Sequence, residues 1–72
     1  MAKNKYSLVG VDGNAFSIMG YTARAMKETG FTKEEIDAMY DEATAGDYYQ
    51  LIGICDGYID KANERLKKRK EA

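Results

Sequence analysis

The sequence predicts a mainly α fold, a short N-terminal β segment followed by a three-helix bundle. Three observations predict it. Apolar residues recur at helical spacing in three separate stretches. Capping residues and glycines bound those stretches. One short run near the N-terminus is rich in β formers instead. The 72 residues make one domain at most, predicted as a helical domain over 1–66 with a basic tail over 67–72.

Tyr6 to Val11, "YSLVGV", is the β-rich run. Gly10 inside it weakens a strand, or marks a bulge or a close backbone approach. A lone strand has nowhere to place its hydrogen bonds. Its expected partner is the same segment of another copy. The other reading is an extended arm lying on the helices.

Asp12-Gly13-Asn14 follows. Asp-Gly is a turn dipeptide, and both Asp and Asn are good N-caps. From there Ala15, Phe16, Met19, Ala23 and Met26, with Ile18, Thr22 and Ala25 alongside, predict a helix to about Thr29. Gly30 stands at the expected C′ position, and Phe31 supplies the apolar residue that packs back on the last turn.

"FTKEEI" carries two independent start signals for a second helix. Thr32 and Glu35 form a capping box, and Phe31 and Ile36 form a hydrophobic staple. Ile36, Met39, Tyr40 and Ala43 give its apolar face, and Gly46 is expected to end it near Ala45. Asp47 then caps a third helix, with Gln50 in the box position. Its apolar face is Leu51, Ile52, Cys55, Tyr58, Ile59, Ala62 and Leu66, and it is expected to fray beyond Leu66. Gly53 and Gly57 lie one turn apart in it and together cost about 2 kcal/mol relative to Ala. They form a close-packing strip where another backbone can approach.

Composition narrows the chemistry. A single Cys55 cannot form an intramolecular disulfide, and with no His an ordinary zinc site is not expected. Cys55 has no histidine to act as its base and reads as a small core residue. A core this small supplies about 3–5 kcal/mol, so a homodimer is expected. The N-terminus "MAKNKYS" is too polar for a signal peptide, no run is long enough to span a membrane, and the unpaired cysteine suits a reducing cytoplasm. Residues 1–60 carry five Lys/Arg against ten Asp/Glu, a net of −5; residues 61–72 carry six against two, a net of +4. The body is acidic and the tail basic.

Each polar or aromatic feature has a structural and a functional reading. Asp12, Gly13 and Asn14 are a capped turn, or with Asp56 a site for a small molecule or divalent cation, although EF-hand spacing is absent. Asp56 is a solvated acid, or a buried one beside Cys55 and Tyr58. Six tyrosines against two phenylalanines suit half-buried edges or contact surfaces. Tyr21, off the main stripe, and the adjacent Tyr48 and Tyr49 are the expected interaction surface. The methionines read mainly as core. Lys67, Lys68, Arg69 and Lys70 are a solvated helix end, or a phosphate-contacting tail whose binding to nucleic acid would be weak and salt-sensitive.

"DGNAFSIMG", "TGFTKEEIDAMYDEA" and "GDYYQLI" together resemble small proteins of phages, prophages and Gram-positive bacterial genomes. In those, a D-G-N-A-F-x-I-M turn precedes a helix and a G-D-Y-x-x-L-L segment follows. The resemblance spans roughly residues 8–60. It implies a phage or mobile-element origin and, by analogy, binding to a host protein; it implies no catalytic residue and no cofactor.

The expected function is therefore non-catalytic protein binding by a cytoplasmic homodimer, through Tyr21, Tyr48 and Tyr49. Two other classes stand beside it. One is a nucleic-acid accessory protein using Lys67, Lys68, Arg69 and Lys70. The other is a small-molecule or metal-binding protein using Asp12, Asn14 and Asp56.

Overall fold

A computed structural model describes residues 5–71, with side chains described through Lys68. Three helices carry the fold: α1 (Ala15–Glu28), α2 (Lys33–Ala43) and α3 (Tyr48–Glu71).

Local signals set most of the boundaries. Asn14 caps α1, its Oδ1 accepting from the Phe16 amide at 2.8 Å. At the other end Phe31 N–H reaches the Met26 carbonyl (2.9 Å) and Gly30 N–H the Lys27 carbonyl (3.2 Å). That pairing is a Schellman motif, and it needs the left-handed backbone that Gly30 adopts at φ +94°. The Thr32–Glu35 capping box is complete in both directions, at 2.8 and 3.1 Å. Asp47 caps α3 through the Gln50 amide at 2.9 Å. Gln50 does not close that box; its side-chain amide donates instead to the Glu42 carbonyl.

Two helix ends differ from expectation. The second helix stops at Ala43, short of Gly46, because Thr44 turns back: its hydroxyl and its amide both donate to the Tyr40 carbonyl, at 2.7 and 3.1 Å. The third does not fray at Leu66 but stays helical to Glu71. Its 24 residues, about 36 Å of helix, match the 37 Å long axis of the molecule. The shorter α1 and α2 leave its last turns overhanging. Lys67 and Lys68 stand exposed there, while the side chains of Arg69 and Lys70 lie outside the described residues.

The helices meet through small and flexible side chains. Ile18, Met19, Thr22, Ala25 and Met26 of α1 pack with Met39 and Ala43 of α2 and with Leu51, Cys55, Ile59 and Ala62 of α3. Thr22 and Thr29 are buried because each hydroxyl donates to the carbonyl one turn back, at 2.8 Å. Cys55 is fully buried, and burial pushes its thiol pKa up. The Tyr48 hydroxyl donates to the Gly13 carbonyl, so α1 and α3 start at the same end and run parallel. Arg65 reaches Glu35 and Tyr58 reaches Glu42, so α2 runs against α3.

The expected N-terminal β segment is not formed: the described residues contain no strand. Residues 5–13 are instead an extended arm laid between α1 and α3, the second of the two readings the sequence offers. Its backbone groups find side chains rather than a strand. Asn63 accepts from the Tyr6 amide (2.8 Å) and donates to the Tyr6 carbonyl (3.0 Å). The Tyr21 hydroxyl accepts from the Ser7 amide (2.9 Å). The arm then turns, with Val11 N–H on the Leu8 carbonyl at 3.1 Å. Gly10, at φ +87°, sits at the third position of that turn, where a type II geometry requires it.

Candidate functional site

The Asp-Gly-Asn turn is the first candidate. Its amide side chain is committed to folding, since Asn14 caps α1. Asp12 is exposed, and accepts a long 3.5 Å hydrogen bond from the Ser17 hydroxyl. Gly13 gives its carbonyl to Tyr48. Asp56 points out to solvent about two turns further up α3, not into a buried niche beside Cys55. The turn and Asp56 are thus not brought together. Among the described residues, no three His, Cys, Asp or Glu side chains are grouped so as to hold a metal ion.

The three tyrosines proposed as a surface divide. Tyr21 is half-buried, edge-on to Tyr6 at 6.2 Å, with its hydroxyl taken by the arm. It is a socket residue, not an outward one. Tyr48 is 45% exposed and latches the turn. Tyr49 is 83% exposed and stands edge-on to Tyr48 at 6.4 Å.

Phe16 joins them. The sequence places it on the first helix's apolar face, yet it is 82% exposed. Ile18, Met19, Thr22, Ala25 and Met26 complete the buried stripe without it. Phe16 starts the opposite ridge, which continues through the exposed Gly20 and Lys27. A signal was present in the sequence. Gly13-Asn14-Ala15-Phe16 with Gly20 and Gly46-Asp47-Tyr48-Tyr49 with Gly53 share one plan: glycine, cap, helix start, aromatic, and a glycine one turn on. In both cases the aromatic at the second helical position faces solvent. The parallel packing of α1 and α3 puts both at one end of the bundle.

Gly53 and Gly57 are exposed, and a Cβ on either would meet nothing. Among the described residues no other backbone approaches this strip.

A second candidate lies between α2 and α3, an open cleft of about 480 Å³ floored by Phe31 and Tyr58. The Arg65 guanidinium covers the Phe31 ring at 3.7 Å and pairs with Glu35 at 3.9 Å; Lys61 lies 5.1 Å over Tyr58. The cleft's aromatic faces are therefore occupied by the chain's own cations. Burial, with the nearby Glu42 carboxylate, pushes the Tyr58 phenol up. The hydrogen bond from the Thr32 amide holds Glu35 below the usual carboxylate range.

The arm's anchor has the strongest electrostatic signature. Tyr6 donates its hydroxyl to Glu28 at 2.6 Å, and Arg24 holds the same carboxylate at 3.2 Å. The hydrogen bond to Glu28, then desolvation, push the Tyr6 pKa up to about 12. The unfolded value is about 10, so the stabilisation is fully present below pH 10 and is lost as pH rises through the folded pKa. The expected result is that wild type melts above Tyr6→Phe at pH 9 and that the gap closes towards pH 12. Paired thermal melts of the two chains across this range check it.

No helix of the described residues is long and apolar enough to cross a membrane. Comparison with protein-family models, with curated proteins and with solved structures returns no match.

Proposed function

We propose that this chain is a non-catalytic protein-binding domain of the cytoplasm, with its contact surface at the aromatic end of the bundle. Phe16 and Tyr49 are the anchors, and Tyr48 stands beside Tyr49. One observation carries the reading: two whole aromatic rings, 82% and 83% exposed, stand at the starts of parallel helices. Aromatic rings of this kind are the residues that interfaces bury at their centres. The polar groups next to them are spent on capping, which leaves the rings as the feature the fold does not explain. The resemblance to small phage and prophage proteins agrees with a partner of the host.

The test is capture of a partner by the immobilised full chain. Phe16→Ser/Tyr49→Ser shifts stability by no more than about 0.5 kcal/mol, because both sites are solvated. The same variant loses capture, since an anchor residue contributes at least ~2 kcal/mol, about 30-fold in affinity. Undiminished capture by this folded variant contradicts the reading.

A nucleic-acid role is the second reading. The observation that favours it is the overhanging end of α3, a continuous helix that carries the exposed Lys67 and Lys68. Equal retention on DNA and RNA at low salt after removal of residues 67–72 eliminates it.

A further inference from the structure

We infer that the socket between α1 and α3 that holds Tyr6 is an exchange site, filled in a dimer by the N-terminal arm of a second copy. The inference is independent of the aromatic end.

The socket recognises an extended segment by its backbone. Asn63 accepts from Tyr6 N–H and donates to Tyr6 C=O, the exchange a neighbouring strand would make. Tyr21 takes the next amide, Ser7 N–H. Glu28 takes the Tyr6 hydroxyl, and the Tyr21 ring meets the Tyr6 ring edge-on. All of these contacts run from side chains of α1 and α3 to residues 6 and 7. None depends on how the arm is joined to α1. A second copy offers the same Tyr6-Ser7, so the arm of either chain fits either socket.

The join is built as a hinge. The turn from Leu8 to Val11 is closed by one hydrogen bond and by the left-handed backbone of Gly10. Among the described residues a Cβ on Gly10 would meet nothing within 4 Å, and Val9 beside it is 91% exposed. Opening this turn turns the arm outward and empties the socket. Two opened chains then fill each other's sockets by a two-fold exchange, keeping every arm contact. A chain with a core this small gains from the additional burial at the crossing point.

The test uses the full chain, half of it ¹³C-labelled, mixed through unfolding and refolding. Light scattering is expected to give about twice the 8.1 kDa of one chain. An isotope-filtered NOE spectrum, which reports only contacts between different molecules, is expected to contain the Tyr6–Tyr21 cross-peak. Gly10→Val, which disfavours the closed turn, raises the dimer-to-monomer ratio several-fold. Two results overturn the inference. One is a single-chain mass at every concentration up to roughly 1 mM, the scale set by a short tether. The other is a dimer whose Tyr6–Tyr21 cross-peak appears only in the unfiltered spectrum.

Discussion

Met39→Ala leaves a large fraction of the chain unfolded at 25 °C. Met39 is 0% exposed and sits where α2 meets the other two helices. Truncating a buried methionine costs about 2–5 kcal/mol in lost transfer energy and residual cavity. A core of this size supplies only about 3–5 kcal/mol in total. The two magnitudes are equal within their spread, so one such change removes most of the stability. Far-UV circular dichroism checks it: the variant loses helical signal and a cooperative melt. Phe16→Ala is the control, an aromatic truncation at an exposed site that shifts the melt by no more than about 0.5 kcal/mol. A cooperative, near-wild-type melt for Met39→Ala would mean that the helices do not share this core.

Asn63→Ala releases the arm. It removes both the acceptor for Tyr6 N–H and the donor to Tyr6 C=O, which are part-buried. Two lost hydrogen bonds are worth about 1–3 kcal/mol. The arm also carries Tyr6, Leu8 and Val11, which lie half-buried against the core. Amide exchange at Tyr6 and Ser7 is expected to rise to that of a free peptide, while the amides of Met26 and Ile59 stay protected. Asn63→Asp keeps the acceptor but sets a negative charge against the Tyr6 carbonyl, so it is expected to release the arm as well. Retained protection at Tyr6 in both variants would show that the arm stays seated without the Asn63 bonds.

What the sequence made legible is what short-range chemistry decides. The Thr32–Glu35 box, the Asn14 and Asp47 caps and the Gly30 Schellman turn each involve residues within five positions of one another. Their partners can be read from spacing. The arm could not be read the same way. Its backbone partner, Asn63, lies 57 residues on, and nothing local distinguishes a strand from an extended segment served by side chains. The place of Tyr21 is hidden for the same reason, since the groups that claim it belong to the arm. Phe16 failed differently. It is apolar and adjoins the buried stripe at the start of α1, but its own ridge continues through the exposed Gly20 and Lys27. The end of α3 is a third case. A basic run with no core beneath it reads as fraying, yet Lys and Arg suit the negative end of a helix and are good helix formers.

The candidate site followed that division. The capping role of the polar turn was legible because caps are local. The exposed ring at position 16 is legible only through the glycine–cap–aromatic plan that it shares with Tyr49.

The most direct measurement is site-resolved photo-crosslinking, with a photoreactive phenylalanine placed in turn at positions 16, 49 and 56. The account predicts protein adducts from positions 16 and 49 and none from position 56. Adducts from position 56 with none from 16 and 49 would contradict it, because the contact surface would then lie away from the aromatic end.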